Sequence, residues 1–123
     1  MATILGIAIA GALGALARYG LDNEFRSDPH HIPWITFAIN VSGSFVLGLA
    51  VAHFDAHPPR EAWLRPTLTI GLLGAYTTFS TFSLETYRLV ARGHVAAGLG
   101  YAGGSVFAGL AALTAGIVLG RLI

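Results

Sequence analysis

Four apolar runs divide this 123-residue chain, each close to the ~20 residues that a helix needs to cross a bilayer. They cover residues 3–19, 35–54, 68–90 and 95–119. The pieces between them are short. Residues 21–33 carry Asp22, Glu24, Arg26, Asp28, His30 and His31, and residues 55–66 hold three Pro, two Arg and a Glu. Arg92, Gly93 and His94 make a tight turn between the last two runs. None of these connections can fold alone, so the expectation is an all-α membrane protein, a single domain (1–123) of four transmembrane helices.

Composition agrees. Charged residues make up 11% of the chain and hydrophobic ones 54%, with a mean hydropathy of +0.68. A soluble domain needs a charged shell, and these residues cannot cover one. There is no Cys, which excludes disulfides and thiolate metal sites. The net charge of +1 gives no polybasic signal for nucleic acid or lipid headgroups. Nothing basic precedes Thr3, and Arg18 lies at the far end of the first run. A signal peptide has the opposite order, so the first run reads as a retained helix.

The seven basic residues are all Arg. Arg60, Arg65 and Arg121 fall on the N-terminal side of such a bundle, and Arg18, Arg26, Arg88 and Arg92 on the other. Orientation follows the basic bias of short loops. So even a balance either picks one orientation weakly or lets the chain insert both ways, and the second reading is favoured.

The third run is unusual. In "GAYTTFSTFSLE", Gly74 to Glu85, five Ser or Thr lie between Thr77 and Ser83. One hydroxyl in a membrane helix normally bonds back to the carbonyl four residues earlier. Several such bonds loosen the ladder, and Gly71 and Gly74 favour a break. A broken membrane helix is tolerated only inside protein or beside a wet cavity. Four helices cannot easily enclose one of their own number, so an oligomer is expected. With balanced Arg, that oligomer is an antiparallel dimer. Gly100-x3-Gly104 and Gly116-x3-Gly120 are spacings that let helices approach closely.

Some residues could carry chemistry. Asn40 lies inside the second run, with Gly43, Ser44 and Gly48 following. It is either an interhelical hydrogen-bonding group or an amide donor to an anion. Phe79 and Phe82 share a helical face, either as core or as positive ring edges toward an anion. Tyr101 and Ser105 are one turn apart, with Gly109 next on that face. Glu85 reads as an ion-pair partner of Arg88 or as a proton-coupling carboxylate. No hydrolase, nucleotide or dinucleotide motif is present. The five His show no zinc spacing. No enzyme is expected.

"GALGALARY" (Gly11–Tyr19), "NVSGSFVLG" (Asn40–Gly48) and "GLLGAYTTFSTFSLE" (Gly71–Glu85) together resemble the Fluc, or CrcB-type, fluoride channel family, over nearly the whole chain. The resemblance implies a passive, fluoride-selective channel of the bacterial cytoplasmic (inner) membrane that reduces fluoride toxicity. It implies an antiparallel, dual-topology homodimer in membrane lipid, with two fluoride pathways. It also implies a structural sodium ion at the centre, held by backbone carbonyls of Gly74 and Thr77 at the break in the third helix. Carried over by motif, Asn40, Phe79, Phe82, Tyr101 and Ser105 line the pathway, with Ser80 and Thr81 beside it. Arg18 is a mouth or anchoring charge. Where some members have a further hydroxyl this chain has Gly109, and water, a backbone group or Thr114 would substitute. Two rivals stand against this. A small multidrug-type antiporter needs a carboxylate in its first helix, and Met1–Tyr19 has none. A pure packing subunit leaves the hydroxyl cluster without a use.

Overall fold

The structure, a computed structural model, describes every residue except 27 and 29. Among the described residues it is helical, with no strand. Three helices are long and apolar enough to cross a membrane: α1 (Ala2–Glu24), α2 (Trp34–Ala56) and α6 (Val95–Gly120). At a rise of about 1.5 Å per residue, each spans the ~30 Å hydrocarbon core.

The remaining stretch is built in pieces. It opens as α3 (Leu64–Pro66), continues as a π-helix over Thr67–Leu73 and closes as α4 (Gly74–Tyr76). Thr77 (ψ 158°) and Thr78 (φ −149°, ψ 115°) are then extended. The helix resumes as α5 (Phe79–Ala91). Pro66 lies in the first turn of this stretch, where its missing N–H is no loss. Thr69 donates its hydroxyl to the Arg65 carbonyl within the wider π turn (3.0 Å). Thr78 caps α5: its hydroxyl oxygen accepts from the Thr81 backbone N–H at 3.1 Å, meeting one of the donors that every helix start leaves open.

Two close contacts set the frame. α1 lies along the π-helix and α4, while α2 lies along α6, and α5 also packs on α6. Glycines make both approaches possible. A Cβ on Gly14 would overlap the Leu72 carbonyl oxygen, and one on Gly116 would overlap that of Phe45. The Gly116-x3-Gly120 spacing is thus a packing face. The Gly100-x3-Gly104 spacing is not: a Cβ at either position meets nothing within 4 Å in this chain.

Ile39, Leu89, Thr36 and Tyr101 form the buried core, each 3% exposed or less. The outer faces stay apolar. Ile4, Ile9, Leu13 and Leu16 on α1 are all more than half exposed. In water that face would be a liability; in hydrocarbon it is the expected surface.

Candidate functional site

The interruption at Thr77 and Thr78 organises the polar groups. An extended residue inside a helical bundle exposes its own N–H and C=O, and both need partners. Asn40 of α2 supplies them at once. Its Oδ1 accepts from the Thr78 N–H at 2.8 Å, and its Nδ2 donates to the Thr78 carbonyl at 3.1 Å. The side-chain amide thus pairs with the backbone as a neighbouring strand would. One Nδ2 hydrogen is left over. Across the bundle, Arg18 of α1 donates its Nε–H to the Ala75 carbonyl at 3.2 Å, at the end of α4. A cation at a helix C-terminus also answers the helix dipole.

The hydroxyls divide into two sets. Thr77, Ser83 and Thr86 bond back to the carbonyls of Leu73, Phe79 and Phe82. Thr78 does not: it caps α5 and donates to the Thr81 hydroxyl at 3.0 Å. Ser80 is exposed, its hydroxyl 3.4 Å from that of Thr78.

Glu85 ties three helices together. Its Oε1 accepts from the buried Thr36 hydroxyl of α2, and its Oε2 from the Tyr101 hydroxyl of α6, both at 2.8 Å. The expected ion pair with Arg88 is not the arrangement found. Both carboxylate oxygens are taken by hydroxyls from neighbouring helices, while Arg88 stays exposed.

The rings form a row. Phe79 and Phe82 have centroids 5.6 Å apart, and Phe82 lies 5.4 Å from Tyr101. The ring of Phe79 is 78% exposed and points off the side of the chain. Beside this row is a groove of about 400 Å³ between α2, the third stretch and α6. Asn40, Phe79, Phe82 and Ser105 all line it, as do Gly74 and Thr77. None of its described lining residues is charged. The Ser105 hydroxyl is buried and has no partner among the described residues.

A second cavity of about 310 Å³ opens on the other side of α5. Thr81 and Glu85 line it with Asp22, Arg26, Arg88 and Arg92. At its rim Asp28 accepts the His30 backbone N–H at 2.9 Å, which holds its carboxyl below the usual range.

Residues 5–117 match the family described as CrcB-like protein, Camphor Resistance (CrcB). The chain belongs to the CrcB family. It is 43% identical to the "Fluoride-specific ion channel FluC 2" of Nocardia farcinica, an alignment covering 97% of this chain and 82% of that one. It is 42% identical to the "Fluoride-specific ion channel FluC" of Acidobacterium capsulatum, over 97% and 96% of the two chains. It is 40% identical to the protein of that name in Pseudomonas syringae pv. tomato, over 98% of each. CrcB proteins are ion channels and not enzymes. Membership, with the three long apolar helices, makes the chain a multi-pass protein of the bacterial inner membrane.

In this CrcB chain the residues singled out by motif therefore fall in three places. Asn40, Phe79, Phe82 and Ser105 meet at the uncharged groove, where Gly74 and Thr77 also lie. Thr81 and Glu85 meet at the charged cavity. Tyr101 joins the two, with its ring on Phe82 and its hydroxyl on Glu85. Arg18 is an anchor to α4. Thr114 lies outside this grouping: it is exposed, and its hydroxyl bonds to the Leu110 carbonyl at 2.8 Å. Beside Gly109 stands Ser44 instead, its Oγ 3.7 Å from where a Cβ would be. Two residues escaped the sequence reading. Thr78 carried a usable sign, since a Thr before a resumed helix is a cap. Thr36 carried none, because its partner is 49 residues away.

Proposed function

We propose that this chain is a passive fluoride channel. It lets fluoride leave the cytoplasm down its electrochemical gradient and so lowers fluoride toxicity. It works as an antiparallel homodimer with two anion pathways and a structural sodium ion. One observation carries this reading: an amide, hydroxyls and two aromatic rings converge on a groove with no charged lining residue. The names of the relatives support the choice of anion.

Fluoride holds its water tightly. A pathway must replace that water with donors that do not trap the ion. The spare Nδ2 hydrogen of Asn40 is one such donor. The unpartnered hydroxyl of Ser105 is another. Phe79 and Phe82 contribute the weakly positive edges of their rings. Ser44 supplies a hydroxyl beside Gly109. Ser80 flanks the groove side, and Thr81 and Glu85 belong to a charged mouth. Fluoride enters cells as uncharged HF and ionises inside. The inside-negative potential then drives the anion out, worth about 2.3 kcal/mol per charge for each 100 mV.

The dimer is supported by the balanced Arg count and by surfaces one chain leaves open. Phe79 is exposed on the monomer, and it lines the groove. A second copy would close both.

The carbonyls of Gly74 and Thr77 suit the sodium ion. In an unbroken helix they would accept from the N–H groups of Thr78 and Thr81. Those donors go elsewhere, to Asn40 Oδ1 and Thr78 Oγ1. Neutral carbonyl oxygens at the end of a half-helix are the donor set a hard monovalent cation prefers. Bound there, sodium would supply a fixed positive charge and tie the two interruptions together.

The test is fluoride release from liposomes holding the purified protein, followed with a fluoride electrode, with chloride run in parallel. Rapid fluoride release with little chloride release is expected. A folded dimer that releases no fluoride would sink the reading.

A further inference from the structure

We infer that Asn40 and Thr78 are positioning residues for the cation site: by capturing two backbone N–H groups they keep the Gly74 and Thr77 carbonyls free to bind a hard monovalent cation. The inference rests on the sodium reading above and adds to it the residues that make the site possible.

A carbonyl inside a helix is not a ligand, because its lone pair already accepts from the N–H four residues on. The N–H groups of Thr78 and Thr81 are the helix-ladder partners of these two carbonyls. Left alone, they would close back onto Gly74 and Thr77 as the helix re-formed. Extended backbone at Thr77 and Thr78 therefore needs side chains that outbid the helix ladder. Asn40 does this for Thr78, with an N–H to Oδ1 distance of 2.8 Å, reinforced by the return bond to the Thr78 carbonyl. The Thr78 hydroxyl does it for Thr81 at 3.1 Å. Thr78 itself is only 8% exposed, so water does not compete for either bond.

One of the two carbonyls between them, that of Ala75, is treated differently. Ala75 O accepts from the Arg18 Nε–H at 3.2 Å, which removes it from use. Of these three carbonyls, one is closed by a protein cation and two are held open. That pattern is what a site for one small ion needs. Asn40 also lines the groove, so its amide both holds the backbone and has one Nδ2 hydrogen to spare.

The experiment measures thermal unfolding of the purified full-length protein in nanodiscs against sodium concentration, with choline as the replacement cation. Sodium should raise the unfolding temperature of the unaltered protein. In Thr78→Val, which keeps the β-branched shape and loses the hydroxyl, the half-maximal sodium concentration should rise about tenfold, the scale of one competing hydrogen bond. Asn40→Leu should show the same shift or a larger one. Thr78→Ser keeps the hydroxyl and should restore the original midpoint. Ser83→Ala, whose hydroxyl only bonds back within α5, should not move it. Unchanged midpoints in both Thr78→Val and Asn40→Leu would overturn the inference while leaving the sodium site standing. An unaltered protein indifferent to sodium would overturn the sodium site and this inference with it. Should the variants fail to fold, amide hydrogen exchange on the unaltered protein without sodium decides. The Thr78 and Thr81 amides should be protected, and rapid exchange at both would overturn the assignment.

Discussion

Two seams hold this chain together, and they use different chemistry. Along α2 and α6 the contact is glycine against backbone: Gly48 against Leu113, Gly116 against Phe45, Gly120 against Leu49. No side-chain hydrogen bond joins those residues, and no charge is involved. Around the interruption at Thr77 and Thr78 glycine packing, with Gly43 on the Thr77 methyl group, is joined by polar contacts made by Asn40, Arg18, Thr78 and Thr81. The difference follows from the solvent. In hydrocarbon, apolar helices gain little from burying apolar surface against each other, so close shape-matched packing must hold them. Polar groups appear where backbone is left unpaired, because an unmet N–H or C=O there is expensive. The glycine seam is a frame, and the polar seam is where ions can be handled.

The comparison is broken most severely at the frame. Gly116→Ala puts a methyl group onto the Phe45 carbonyl oxygen, and backbone cannot step aside as a flexible side chain would. We expect a cost of about 3 kcal/mol and loss of the monodisperse peak in size-exclusion chromatography. A well-folded Gly116→Ala protein would mean that the α2–α6 contact is looser than described.

A smaller effect is expected at the node of Glu85. Thr36→Val removes a buried donor and leaves Oε1 of Glu85 without it. Losing a hydrogen bond to a charged group costs about 2 kcal/mol, read as a lower unfolding temperature. The polar seam should instead separate stability from function. Phe79 touches little of its own chain, so Phe79→Ile should leave the fold intact within about 0.5 kcal/mol. Its fluoride efflux should fall about tenfold, the scale of one lost ring-edge interaction. Unchanged efflux from that variant would remove the ring from the pathway.

Much of this was legible in the sequence, for reasons that can be named. The apolar runs showed as helices because length and hydropathy are local properties. The hydroxyl crowding after Gly74 pointed to an unsettled helix because five competing groups lie within seven residues. Helix ends were less legible. α1 runs on to Glu24 past its apolar run, since polar residues continue a helix where it leaves the hydrocarbon. The third stretch starts at Leu64, inside the Pro-rich connection, because Pro66 suits a first turn. Long-range pairings were not legible. Asn40 announced that it needs a partner, but its partner is backbone, which has no sequence signature. Thr36, Glu85 and Tyr101 meet only once three helices are docked, whereas Arg88 is only three positions along the chain from Glu85 and so was the partner the sequence suggested.

Spacing alone also failed to tell two glycine pairs apart, and this sets the finest test. Gly116 and Gly120 sit on the α2 backbone, while Gly100 and Gly104 face open space with the same interval between them. Sixteen residues, the distance from Gly100 to Gly116, amount to about four and a half turns at 3.6 residues per turn. The two pairs therefore look out from different sides of α6. Within one chain, Gly100→Ala meets no atom and gains helix propensity, so it should stabilise by about 0.5–1 kcal/mol. That gain would be read from chemical denaturation in detergent. If the substitution instead weakened assembly, the open face would be a contact surface, packed by a second copy as closely as α2 packs against Gly116. The sign of this one small number thus distinguishes a lipid-facing glycine pair from a second glycine seam, which only the dimer would complete.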